Sequence, residues 1–438
     1  MAGTDTASRI CGNSAVLFVR TALVALCGAA AVRIAVGALG ADGYGTYAAV
    51  SALVGTLVLL NGVMEQTARR FLGCAMGRGG AAELQEAFSS LVVLSLALAA
   101  LTVVAGETVG LLCGLSVPPE YASAARVCYH LGVFLAAASV VSAPFSALIV
   151  SGERMALFLV LGAVESAAAL AAALAAKTCG AHGVEMFAGA LAAGGAVSLA
   201  VHVALCRAAF PGVRLEFRCR AARLREAAAF LSWGSLGSIG NAVKYKGTGL
   251  VLNGFAGVAF NAAWDVAIKV WQYLHGFCAD FMQAFSPVLF KAWGAGGRRR
   301  VASVAAWTTF ASFLIAAVPS AVVFAFAPEF VRVWLGEAAP PQVAAFVRCS
   351  VVNLVFDAAS NPLTTTILAS GRVALYHSVA CSLSVLGFAV AWLLLASGFQ
   401  AWTSMAAVAA TNGLALAYRA LHVRFILSRN SFGESTAT

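Results

Sequence analysis

Apolar residues in this chain fall in long, nearly unbroken runs, each ended by a short cluster of Arg, Gly, Pro or Ser. A helix needs about 20 apolar residues to cross the hydrocarbon core of a bilayer. The pattern predicts twelve such helices, at Asn13–Val36, Tyr44–Gln66, Phe88–Cys113, Val127–Val150, Met155–Ala176, Gly183–Leu205, Ala227–Asn253, Phe260–Phe290, Val301–Ala327, Val343–Ala369, Val373–Ser397 and Trp402–Phe425. The eighth run is over-long, and Pro287 is expected to end it or bend it.

Composition agrees with this reading. The 438 residues are 61% hydrophobic and 11% charged, with a mean hydropathy of +0.89. A soluble domain of this size needs far more charged surface. The net charge of +10 does not point to nucleic acid, because the basic residues sit in short segments between apolar runs. One set of loops and span ends carries Arg9, Arg69, Arg70, Arg78, Arg154, Arg207, Arg214, Arg218, Arg220, Arg223, Arg225, Lys291, Arg298, Arg299, Arg300, Arg372, Arg419, Arg424 and Arg429, whereas the opposite set carries Arg126, Lys177 and Arg332. By the positive-inside rule, both termini are expected to be cytoplasmic. The N-terminus has no signal-peptide pattern with a cleavage site, so the first run is kept as a helix.

The basic segment Arg207–Glu226 divides the chain into residues 1–206, an N-terminal bundle of six helices, and residues 227–438, a C-terminal bundle of six. Its simplest role is orientation and attraction to anionic headgroups. The halves resemble one another. Ser142–Phe158 and Ser360–Tyr376 each hold a proline near a helix end, a Ser-Gly turn and an arginine, with Pro144 opposite Pro362 and Arg154 opposite Arg372; Ser151-Gly152 meets Ser370-Gly371 only after a shift of one residue. With six spans per half, this is a parallel repeat, and transporters built so place the substrate path between the halves.

The most informative stretch is Phe230–Phe290. It is almost wholly apolar, yet it carries Lys244, Lys246, Asp265, Lys269 and Asp280. A charge at mid-membrane costs a few kcal/mol on insertion scales and marks a cavity or a polar partner. Arg20 and Arg33 lie in the first span, Glu65 ends the second, and Glu165 and Asp357 are further acids in spans. Two readings stand. In one, these groups form internal ion pairs: Asp265 with Lys269, Arg20 with Asp280 or Glu65, Asp357 with Arg348. In the other, Arg20, Arg33, Lys244, Lys246 and Lys269 line a cationic cavity for an anionic headgroup, while Asp265, Asp280, Asp357 and Glu65 bind a coupling ion. Arg33 is near enough to the interface to snorkel. Lys244 and Lys246 are two apart and project about 160° from each other on a helix, so one of them is expected to face the cavity.

Enzyme readings find no support. The chain lacks a G-x-x-x-x-G-K-[ST] phosphate loop, an H-E-x-x-H pair and a G-x-S-x-G elbow, so no catalytic residue, cofactor or metal site is predicted. The eleven cysteines are scattered and read as small buried hydrophobes. His202, His275 and His377 read as packed or interfacial residues. The aromatics suit interface belts or lumen walls, and Trp264, Trp271 and Tyr273 are also suited to stacking on sugar rings.

The run from Arg33 through Leu39-Gly40 to Tyr44-Gly45 and Tyr47 is similar to a signature that follows the first span of polysaccharide transporters, the oligosaccharide flippases of the multidrug/oligosaccharidyl-lipid/polysaccharide exporter superfamily. Leu60-Asn61-Gly62, Arg69-Arg70-Phe71, Pro118-Pro119-Glu120, Ser151–Met155, Asn253–Ala263 and Trp334-Leu335-Gly336 fit the same group in order and spacing. Trp264-Asp265 and Lys246 depart from it. The resemblance implies an all-α polytopic membrane protein of two six-helix bundles in a V-shaped fold, with a cavity lined by the first, second, seventh and eighth spans. It implies a transporter in a bacterial inner membrane that flips a polyprenyl-pyrophosphate-linked oligosaccharide, a cell-surface polysaccharide precursor, by alternating access. An H+ or Na+ gradient is the expected driving force, and other polysaccharide-assembly proteins are expected partners. Two alternatives stay open: a cation-coupled multidrug exporter of the same superfamily, and a non-transporting membrane component of polysaccharide assembly. The absence of an acid from the first span of either half speaks against the exporter, and the short outer loops speak against a polymerase.

Overall fold

The computed structural model describes residues 2–55, 57–112, 119–179, 182–214, 220–256, 258–335 and 342–428. Helices and their connections account for all of them. Among the described residues, seven helices are long and apolar enough to cross a membrane by length and composition, and the chain is a multi-pass membrane protein. It divides into two compact units, Met1–Leu231 and Ser232–Thr438.

The first unit holds α1 (Ala2–Val54), α2 (Leu59–Arg78), α3 (Ala81–Leu112), α4 (Ala122–Ser151), α5 (Met155–Thr178), α6 (Gly183–Ala209) and the start of α7 (Ala221–Ala242). Helix α4 is the core element. It packs against α2, α3 and α6, and Ala143 through Ser151 are buried without interruption. Directions follow from the contacts. Cys128 reaches the Val184 carbonyl (3.6 Å) and Cys206 the Phe145 carbonyl (3.2 Å), so α4 and α6 run the same way. Gly183 lies against Ala176 and Gly194 against Ala168, so α5 runs opposite to both.

Helix α1 first follows α5, from Arg20 beside Gly162 to Ala35 among Ala172, Ala173 and Ala176. It then follows α4, with Gly43 beside Tyr121 and Val54 against Gly132. The stretch therefore reverses direction between Ala35 and Gly43. A straight helix of its 53 residues would extend about 80 Å, far beyond a bilayer core of about 30 Å. The turn predicted between the first two spans is present as a bend, without a loop. The predicted break after Gln66 is corrected. The interruption falls between Val54 and Leu59, and α2 continues to Arg78 because pairs such as Glu65–Arg69 and Arg70–Glu226 satisfy its charges.

The segment after α6 is tied to this unit. The Gln85 side-chain amide exchanges two hydrogen bonds with the Arg214 backbone, each 2.7 Å. Arg220 pairs with Glu86 (3.5 Å), Arg223 with Glu83 (3.0 Å) and Arg70 with Glu226 (3.5 Å). The Arg70 guanidinium also covers the Phe71 and Phe230 rings.

The second unit holds the remainder of α7, a π-helical turn (Val243–Gly247), α8 (Thr248–Ala256), α9 (Val258–Gly294), α10 (Arg298–Ala325), the short α11 (Ala327–Leu335), α12 (Val343–Ser370), α13 (Val373–Ala396) and α14 (Thr403–Ser428). Its packing repeats that of the first. Helix α12 packs against α9, α10 and α14 as α4 does against α2, α3 and α6, and α13 lies beside the π turn and α8 as α5 lies beside α1. Glu153 (φ 58°) and Gly371 (φ 75°) occupy the left-handed position at the same distance after Pro144 and Pro362, and Arg154 and Arg372 then open helices of 24 residues. The one-residue mismatch of the Ser-Gly pairs is thereby explained, since Gly371 matches Glu153 and not Gly152.

Pro287 does not end its helix. Its missing N–H would have bonded the Gln283 carbonyl, and the Ser286 hydroxyl donates to that carbonyl instead (3.3 Å).

Candidate functional site

A connected polar and aromatic cluster lies inside the second unit, built from four segments. At the π turn, Lys244 is 4% exposed, and its Nζ donates to Asn412 Oδ1 at 2.7 Å. Asn412 Nδ2 donates to Asn353 Oδ1 (2.6 Å) and to Tyr245 Oη (3.2 Å), and Asn353 Nδ2 donates to Tyr245 Oη (3.1 Å). Each amide thus serves as both donor and acceptor, as burial of a polar group in an apolar span requires. The Tyr245 ring lies 5.6 Å from Trp271, which stacks on His275 at 4.7 Å. His275 Nε2 lies 3.5 Å from Asp357 Oδ2, one helical turn beyond Asn353 on α12. Arg419, two turns beyond Asn412 on α14, has its guanidinium 5.8 Å from the centroid of the Tyr376 ring and lies within electrostatic reach of Lys244, Tyr245 and Asp357.

The π turn is what places Lys244 and Tyr245 together on this cluster. A π-bulge shifts the helical register by one residue and is frequent at functional sites. No carboxylate lies within ion-pair distance of Lys244 among the described residues. Lys246 is exposed, so of the two lysines only Lys244 joins the cluster.

The other predicted residues are distributed as follows. Arg20 sits on α1, with its guanidinium 4.1 Å from the centroid of the Phe158 ring, a hydrogen bond to the Phe158 carbonyl (3.3 Å) and an ion pair with Glu165 (3.6 Å). The expected pairing of Arg20 with Glu65 is corrected on this point. Glu165 lies on the neighbouring α5, where Gly162 leaves room for the arginine stem. Glu65 instead pairs with Arg69 and accepts from Ser146 Oγ at 3.2 Å. Arg20 meets α5 at Phe158 and Gly162. The matching part of α13, Tyr376–Cys381, is met by Gly237 and Gly240, so Arg20 and Lys244 are not counterparts in the repeat.

Asp357 pairs with His275 and not with Arg348, which bonds the Phe324 carbonyl (3.2 Å). Asp280 is buried and Lys269 is exposed. The side chains of Arg33 and Asp265 lie outside the described residues, and so does the expected Asp265–Lys269 pair.

Sequence reasoning missed Tyr245, Asn353, His275, Asn412 and Arg419 as one group. The available signal was polar residues at helical spacing inside apolar spans, Asn353 with Asp357 and Asn412 with Arg419. Among the described residues, no group of three or more His, Cys, Asp or Glu side chains is placed to hold a metal ion.

No known protein-family profile matches the chain, and no curated protein matches it. Solved structures do. A MATE transporter in its bent conformation superposes with a TM-score of 0.83 at 14% identity, over 97% of this chain and 96% of that one. The outward-facing structure of a multidrug resistance MATE family transporter of the MOP superfamily gives 0.81 at 14%, over 96% and 95%. A MOP superfamily transporter from Pyrococcus furiosus, described as having a binding pocket of reverse polarity, gives 0.75 at 15%, over 96% and 95%. The chain therefore has the MATE-like fold of these transporters across nearly its whole length.

Proposed function

We propose that this protein is a transporter that flips a polyprenyl-pyrophosphate-linked oligosaccharide from the inner to the outer leaflet of a bacterial inner membrane by alternating access, with both termini in the cytoplasm. The observation that carries the reading is the buried Lys244 ammonium, held by an amide and not by a carboxylate. Asp357, the acid of the same cluster, is already engaged by His275. With Arg419 close by, the cluster has more fixed positive than negative charge, and a charge at this depth marks a substrate path. A pyrophosphate is the complementary ligand, with the exposed Lys246 and Lys269 of the same unit as further cationic stations. A MOP superfamily transporter of the same fold is described with a binding pocket of reverse polarity that suggests a different function, so the charge of the pocket is a variable feature on this scaffold.

The test is the sidedness of lipid-linked glycan in cells lacking the gene. Accumulation on the cytoplasmic leaflet, relieved by the wild-type gene and not by Lys244→Ala with folded protein present, supports the reading. A second reading, a cation-coupled drug exporter, is favoured by the partly exposed acid Asp357 beside His275. It predicts normal surface glycan and altered sensitivity to cationic drugs.

A further inference from the structure

Helix α9 presents two different faces. Trp264, Ala267, Val270, Cys278, Phe281 and Phe285 are buried. The opposite face exposes Lys269, Gln272, Tyr273 and Phe277 at helical spacing, with Tyr273 66% exposed. On α10 of the same unit the exposed residues include Trp307, Phe310, Phe313, Leu314, Val318, Val322 and Phe324, an apolar surface suited to acyl chains. A face carrying Lys, Gln and Tyr is poorly suited to acyl chains and fits water or a polar cargo.

Three aromatics of this helix were candidates for stacking on sugar. Trp264 is 5% exposed and packs edge-on against Phe346, and Trp271 is turned inward onto His275. Tyr273 alone of the three offers its ring. One turn before it stands Lys269, and one turn after it stands Phe277. Gly276 lies between them, where an added Cβ would meet nothing within 4 Å, so the surface beside the ring is open. Lys246 follows Tyr245, and Gln272 follows Trp271. Both are exposed, and the rings of Tyr245 and Trp271 that precede them are in contact.

We propose that Tyr273, flanked by Gln272 and the open face at Gly276, is a sugar-stacking platform that holds the first pyranose of a lipid-linked glycan while Lys269 and Lys246 face its pyrophosphate. The C–H face of a pyranose lies on the flat, electron-rich face of an aromatic ring, and the lysines supply charge complementary to the group that adjoins that sugar. The proposal rests on the flippase reading and adds to it the residue that senses the sugar.

The experiment uses the purified full-length chain and two probes, polyprenyl pyrophosphate and polyprenyl-pyrophosphate-N-acetylglucosamine, titrated against wild type, Tyr273→Phe, Tyr273→Leu, Gly276→Leu and Lys269→Ala. Wild type should prefer the sugar-bearing probe. Tyr273→Leu and Gly276→Leu should lose that preference, with about a ten-fold weaker affinity for the sugar-bearing probe and unchanged binding of the bare one. Tyr273→Phe should retain the preference, and Lys269→Ala should weaken both probes alike. Gly276→Leu adds bulk into open space, so it guards against a folding defect. Equal affinity of wild type for the two probes, or an unaltered preference in Tyr273→Leu, overturns the platform and leaves the flippase reading standing. Binding of neither probe, or Tyr273-dependent binding of a cationic dye alone, overturns both.

Discussion

Lys244 illustrates how a single residue is made tolerable inside an apolar helix. Its ammonium is satisfied by Asn412, which is oriented by Asn353 and Tyr245. Asn412→Leu removes the acceptor and should cost about 1.5–3 kcal/mol, the range for a hydrogen bond to a charged group. Lys244→Met in that background should recover part of the loss, because the uncompensated charge disappears with it. Thermal unfolding in detergent measures both, and strictly additive losses would contradict the coupling. Gly371 is a second such position. Its φ of 75° is costly for a residue with a Cβ, so Gly371→Ala should destabilise by roughly 1–2 kcal/mol. Glu153 already bears that strain at the matching place, and Glu153→Gly should raise the unfolding temperature. Equal effects of opposite sign are not expected, because glycine also loosens the unfolded chain.

Among the elements, the third to sixth and the ninth to eleventh spans were legible because an apolar run of bilayer length has few other uses. The proline and arginine positions of the repeat were legible too, since Pro144 and Pro362 precede matching left-handed residues. The partners were not. Lys244 and Asn412 are 168 residues apart, and Arg20 finds its acid on α5, where a small residue at Gly162 allows close approach. Charge type and depth pointed to Glu65 and Asp280 as partners for Arg20 and did not single out Glu165. The segment Arg207–Glu226 read as a basic linker, yet Gln85 fastens Arg214, Glu86 fastens Arg220 and Glu83 fastens Arg223 to the first unit. Glu83→Lys would place a third cation beside Arg78 and Arg223. Trypsin cleavage at Arg220, Arg223 and Arg225 in the full-length protein should then rise several-fold over wild type. Unchanged protection would show that the ion pairs do not hold the segment.

At the scale of the whole molecule, the MATE-like fold is a scaffold shared at 14–15% identity with the transporters described above, and the character of its site is set by a few side chains. Here those include a buried lysine, a nearby arginine and an acid already engaged by a histidine. We propose that this cationic cluster carries a pyrophosphate-linked glycan across the membrane. The most direct measurement is flipping of a fluorescent polyprenyl-pyrophosphate oligosaccharide in vesicles reconstituted with the pure protein, read as label that becomes accessible to a membrane-impermeant quencher. Wild type should move the lipid well above protein-free vesicles, and Lys244→Met, with its fold verified by thermal unfolding, should lose at least ten-fold in rate. Movement no faster than in protein-free vesicles, or equal rates for wild type and Lys244→Met, would contradict the account.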